Sequence, residues 1–142
     1  MATNTDNARA AALKLISRAE QCSALLTLKL RRRGYKKAEI EPLIDELREK
    51  GILDDNRFAG AWLAGRLAGR TDSPRKLFAS LLAKGISEQT AKKSLKEILE
   101  PETESALLAR YLQTARKNGK PVSRAALRSE GFSADALENA GL

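Results

Sequence analysis

The chain of 142 residues carries 26 lysines and arginines against 18 aspartates and glutamates, a formal charge of +8, with no histidine and a single cysteine. This inventory excludes an internal disulfide, a zinc centre of clustered histidines and cysteines and a serine–histidine–aspartate triad, leaving oxygen ligands as the only route to a metal. No apolar run approaches the ~20 residues that span a bilayer, and Met1 to Asn7 are polar with no signal-peptide apolar region, so a cytoplasmic protein away from the membrane is expected.

A first helix is expected over about Asp6 to Arg18 and a second over Cys22 to Arg33. The second ends at a terminator formed by Leu30, Gly34 and Tyr35: glycine takes the left-handed position just past the helix, and the apolar residue after it folds back onto the leucine. Ile40, Leu43, Ile44 and Leu47 then fall at i, i+3, i+4 and i+7, predicting a helix from about Ala38 to Lys50 that ends the same way at Gly51 and Ile52. Pro42 is tolerated only near a helix start and argues for a later beginning. Asp54 or Asp55 can cap the next helix, whose buried stripe is read as Phe58, Ala61 or Trp62, and Gly65, with Trp62 in the core. Ser73 and Pro74 open a helix with Leu77, Phe78, Leu81 and Leu82 on its apolar face, ended by Gly85 and Ile86. Ser87 caps a helix bearing Ala91, Leu95, Ile98 and Leu99. Pro101 opens another with Leu107, Leu108, Tyr111 and Leu112, and a third terminator of Leu127, Gly131 and Phe132 lies in a shorter last stretch.

Gly34, Gly85 and Gly131 stand 51 and 46 residues apart, a spacing suited to three short helices per repeat. The expected organisation is all-α, with three-helix repeats over residues 1–50 (with a flexible N-terminus), 51–100 and 101–142. No period-two alternation argues for a strand. Because glycine endings are common, the alternative is one irregular helical domain whose helices end alike.

Basic residues outnumber acidic ones 11 to 7 over 1–50, 9 to 6 over 51–100 and 6 to 5 over 101–142, so an anionic partner is expected mainly along the first two thirds. The densest group is Arg31, Arg32, Arg33, Lys36 and Lys37 around the first glycine turn; helix-dipole compensation explains part of it, and contact with phosphate or an acidic surface explains the excess. Arg66, Arg70, Arg75 and Lys76 form a second group, and Lys92, Lys93 and Lys96 a third on the polar side of their helix. Arg116, Lys117 and Lys120 are accounted for by dipole compensation and solvation. Asp54 and Asp55 could suggest acid–base or metal chemistry, but at a helix start capping explains them better. Arg57 suits pairing with a carboxylate of a neighbouring helix.

Helix pairs joined by glycine turns are also what a helix-turn-helix DNA reader needs, but the helix after the first turn carries Glu39, Glu41, Asp45, Glu46 and Glu49, which would face phosphate badly. Non-specific DNA binding stays open through Lys92, Lys93 and Lys96. No nucleophile–base pairing or phosphate-cradling glycine loop points to an enzyme, and no cofactor is expected.

Gly51-Ile52-Leu53-Asp54-Asp55-Asn56-Arg57-Phe58-Ala59 resembles the Gly-Leu-Leu-Asp-Asp-x-Arg-Phe-Ala signature of the RecX family, bacterial regulators of the RecA recombinase. Lys29-Leu30 and Arg33-Gly34-Tyr35 upstream, Leu82-Ala83-Lys84-Gly85-Ile86 downstream and Glu130-Gly131-Phe132-Ser133 near the end follow in the family's order. Two segments depart from it: Ala19-Glu20-Gln21-Cys22 matches by half the stretch before the second helix, and Thr71-Asp72-Ser73-Pro74 replaces a Gly-rich basic connection. The resemblance implies an elongated, curved array of three-helix repeats. Such an array would act as a monomer, binding the groove of the RecA filament on single-stranded DNA and limiting ATP hydrolysis, filament growth and strand exchange.

Overall fold

A computed structural model describes residues 3–142. Among them it has nine α-helices and no strand: α1 (Asn4–Arg18), α2 (Ser23–Arg32), α3 (Lys37–Glu49), α4 (Asp55–Gly69), α5 (Pro74–Ala83), α6 (Glu88–Ile98), α7 (Pro101–Lys117), α8 (Arg124–Ser129) and α9 (Ala134–Asn139). The chain divides into two units. One holds the described residues up to Phe58 together with Lys84–Ile86; the other holds Ala59–Ala83 and Ser87–Leu142.

In the first unit, α1 starts two residues before the expected Asp6 because Thr3 and Asp6 cap each other's backbone. The Asp6 N–H donates to Thr3 Oγ1 at 3.1 Å, and the Thr3 N–H to Asp6 Oδ2 at 3.2 Å. The expected flexible N-terminus, as far as it concerns Met1 and Ala2, lies outside the described residues. The glycine terminators form as the sequence predicts: Gly34 has φ +95°, and the Tyr35 N–H reaches back to the Leu30 carbonyl at 3.2 Å. Ile52 does the same to Leu47 at 3.0 Å. Leu30 and Leu47 are thereby buried with Leu26, Ile40, Leu43 and Ile44 around Ala8 and Ala12 of α1. The later start suggested by Pro42 is corrected, since α3 begins at Lys37 and carries Pro42 on its exposed side. Four buried aliphatic side chains at ~1.5–3 kcal/mol each outweigh a proline cost of ~3 kcal/mol. Gly85 adds a second constraint to its φ of +87°, because a side chain there would run into Ala24 of α2.

The expected facing of α4, most of which lies in the second unit, is corrected. Phe58, Ala59 and Leu63 are buried, whereas Ala61 and Gly65 are exposed and Trp62 is only half-buried. The segment is apolar nearly all round, so its periodicity selects no face and packing decides. Ser73 caps α5 through the Lys76 N–H at 3.2 Å, and Ser87 caps α6 through the Thr90 N–H at 3.1 Å. Leu77 and Leu81 of α5 are buried, but Phe78 is half-buried and Leu82 exposed, so the apolar face of α5 is narrower than expected. Leu107, Leu108 and Leu112 of α7 lie inside, and the Phe132 ring meets Tyr111 at 5.3 Å between centroids. The third terminator closes with the Phe132 N–H on the Leu127 carbonyl at 3.2 Å.

Candidate anion-binding interface

The turn at Gly34 joins the end of α2 to the start of α3 and displays Arg31, Arg32, Arg33, Lys36 and Lys37, all exposed. Arg31 and Arg32 lie in the last turn of α2, at the negative end of its dipole, where cations stabilise the helix. Lys36 and Lys37 lie at the opposite kind of end. Lys36 is the N-cap residue of α3, makes no side-chain capping bond and faces the positive end of that dipole, the place where a serine or an acid would stabilise the helix. Among the described residues, Lys37 pairs loosely with Glu41 one turn on, at 3.6 Å, and Arg31, Arg32, Arg33 and Lys36 have no carboxylate partner. Four adjacent cations therefore repel one another across a short turn, and an anion arriving there relieves that repulsion.

The second predicted group sits differently. The Arg66 guanidinium lies 4.9 Å from the centre of the Trp62 ring, and its Nε is 3.9 Å from Asp72 Oδ2. Lys76 Nζ is 3.5 Å from Asp72 Oδ1, and Arg75 pairs with Glu130 at 2.9 Å. Glu130 also accepts the Ser73 hydroxyl at 2.7 Å and, through its backbone carbonyl, the Arg75 N–H at 2.9 Å. The Ser73 and Arg75 hydrogen bonds hold the Glu130 carboxyl below its ordinary pKa of 4.5. Arg70 alone in this group is exposed with no ion-pair partner among the described residues. In the third group, Lys92 pairs with Glu88 at 2.8 Å, and Lys93 and Lys96 are exposed without such a partner.

The signature segment is a junction of the first unit. Asp54 Oδ1 accepts the Arg57 N–H at 3.1 Å, capping α4 as the sequence suggests. Asp55 instead caps a different helix, taking the Ser23 N–H at 2.8 Å and its hydroxyl at 3.1 Å, where the N-cap residue Cys22 supplies no cap of its own. Arg57 spans Glu20 at 2.8 Å and the Gly51 and Ile52 carbonyls at 3.2 and 3.0 Å. Arg48 Nε completes the cluster on Ser23 Oγ at 2.8 Å. Oδ1 of Asp54 and Oδ1 of Asp55 thus each cap a helix start, and no group of three metal-ligating side chains occurs among the described residues. Cys22 is buried and burial pushes its thiol pKa up, away from nucleophilic reactivity.

Two residues that the sequence did not single out shape these surfaces. Arg110 of α7 donates to the Leu67 and Arg70 carbonyls at 2.8 and 3.3 Å, satisfying the open end of α4. Glu104 takes the Ser133 N–H and hydroxyl at 2.9 and 2.7 Å, the same device that Asp55 uses on Ser23. Neither has a local signal, because the partners lie 40 or 43 and 29 residues away.

Residues 54–95 match the family description "RecX, second three-helix domain". The chain is 39% identical over 139 residues to a protein of Thermobifida fusca (strain YX) named "Regulatory protein RecX", covering 95% of this chain and 74% of that protein. It is 33% identical over 112 residues to a protein of the same name from Treponema pallidum (strain Nichols), covering 79% of this chain and 68% of the relative. Its fold is that of a solved regulatory protein RecX at a TM-score of 0.77 and 21% identity, covering 94% of this chain and 70% of that one. RecX from Lactobacillus salivarius gives 0.72 and 20%, covering 95% and 92%.

Proposed function

This chain belongs to the RecX family of regulatory proteins, and we propose that it acts on the RecA filament formed on single-stranded DNA, limiting ATP hydrolysis, filament growth and strand exchange. The reading includes action as a monomer built of three-helix repeats over residues 1–50, 51–100 and 101–142, with no catalytic step of its own. The observation that carries it is the turn at Gly34, where Arg31, Arg32, Arg33 and Lys36 stand exposed without carboxylate partners and Lys36 occupies an N-cap position unfavourable for a cation. A protein keeps such charge at a cost to its own helix when something anionic meets it. Many weak charge contacts along one long partner add up to firm binding without any single tight site.

The test is RecA's single-stranded-DNA-dependent ATP hydrolysis titrated with this protein, beside a titration of bare DNA. Hydrolysis falling at protein levels too low to coat the DNA is the expected result. Unchanged hydrolysis, with strong salt-sensitive binding to bare DNA, would favour a non-specific DNA-binding protein, a reading that rests on exposed Lys93 and Lys96 of α6.

A further inference from the structure

The second basic group contains its own competitor. Asp72 is 7% exposed and lies between two cations, with Lys76 Nζ 3.5 Å from one carboxylate oxygen and Arg66 Nε 3.9 Å from the other. The fit is incomplete, since Asp72 Oδ2 and Arg66 Nε are both buried and neither has a hydrogen-bond partner. At 3.9 Å the pair has the charge attraction of an ion pair without its hydrogen bond. Arg66 is meanwhile held against the face of Trp62 and keeps about a quarter of its side chain accessible, at 26%, while Lys76 keeps 63%.

We propose that Asp72 is an autoinhibitory counter-ion, a carboxylate that occupies Arg66 and Lys76 and so keeps this face from engaging an anionic partner at full strength. A phosphate reaching the two cations meets the Asp72 charge at nearly the same distance, so the site offers it one net positive charge where two side chains are present. A partner contact that displaces Asp72 recovers the missing Arg66 hydrogen bond, because a phosphate oxygen is free to sit at hydrogen-bonding distance where the fixed carboxylate is not. The Gly34 turn lacks such a device, and its cations are available from the start. The inference rests on the proposed function only in taking the partner to be anionic.

The experiment measures binding of a fluorescein-labelled oligothymidylate of about 20 nucleotides as a function of salt, for the intact chain and for Asp72→Asn. The variant is expected to bind about tenfold tighter near 50 mM salt, with a log–log salt slope steeper by ~0.7 for each cation released. Emission from Trp62, the chain's only tryptophan, should shift on adding oligothymidylate to the variant more than to the parent, since Arg66 leaves the ring. An unchanged slope in a folded variant overturns the inference.

Should Asp72→Asn fail to fold, Asp72→Ser, which keeps a small polar side chain without the charge, decides it. Asp72→Ser should steepen the slope by ~0.7, the one charge that the carboxylate cancels, and a folded Asp72→Ser with the slope of the intact chain overturns the inference. RecA hydrolysis is read separately. A steeper slope for the variant without RecA inhibition by the parent would remove the proposed function and keep the counter-ion, and the converse would do the opposite.

Discussion

The Gly34 turn and the Arg66–Lys76 region look alike in sequence, each a knot of four or five cations beside a helix end, yet they are opposite in construction. In the second region Asp72 and Glu130 hold three of the four cations, and Arg75 and Glu130 are joined by both side chain and backbone. In the first, Arg31, Arg32, Arg33 and Lys36 face solvent with nothing of opposite sign beside them among the described residues. A cation with an internal carboxylate contributes to folding and has part of its field spent. A cation without one adds at most a helix-end contribution to folding and retains its field for a partner. Charge density along the chain therefore does not measure how many cations lack an internal partner; the placement of carboxylates does.

The largest effect that separates the regions is on the partner. Replacing Arg31, Arg32 and Arg33 together by glutamate should weaken inhibition of RecA hydrolysis by about 100-fold or more while the helical content is kept and stability falls only by the lost helix-end contacts of Arg31 and Arg32, about 1–2 kcal/mol. Inhibition preserved under those conditions would take the turn out of the interface.

Next in size is a stability effect confined to the other region. Glu130→Ala leaves the buried Ser73 hydroxyl and the Arg75 guanidinium without their acceptor and should cost about 1–3 kcal/mol in chemical denaturation. Arg32→Ala should stay within about 0.5 kcal/mol, and comparable losses from the two would erase the distinction. The same contrast has a pH signature. Because the Glu130 carboxyl titrates below its ordinary 4.5 in the folded protein, its contribution is fully present above that value and is lost as pH falls through the lower folded value. Unfolding midpoints of the parent and Glu130→Gln should differ at neutral pH and converge on acidification, and a gap independent of pH would count against the ion pair as its source.

The smallest effect has the opposite sign. Lys36→Ser supplies the missing N-cap of α3 and should raise the unfolding midpoint by about 2–4 °C while weakening filament inhibition. A variant that gained stability at no loss of inhibition would show that the cation at this cap serves no partner.

Much of this molecule could be read locally, and where reading failed the cause is identifiable. The terminators at Gly34, Gly51 and Gly131 were legible because a glycine past the helix and a leucine within the last turn meet over five residues of chain. The facing of α4 was not. Alanine, glycine, leucine, phenylalanine and tryptophan surround that helix, so Leu63 rather than Trp62 went inside for reasons held by its neighbours. The fold divides the basic residues named from the sequence into paired and unpaired sets, and for Arg66 and Arg75 that division had no local signal.

What the sequence by itself determined was whatever depends on neighbours within a turn or two of helix: the helical periods, the serine and proline starts, the glycine stops and the basic residues crowding the first turn. The tertiary structure decided which charges are spent beyond the pairs four residues apart, Lys37–Glu41, Lys76–Asp72 and Lys92–Glu88. Asp55 caps Ser23 across 32 residues and Glu130 reaches Ser73 across 57, and no local spacing encodes either meeting. A carboxylate's influence falls with distance in space rather than along the chain, so only the folded protein shows which of its cations remain free.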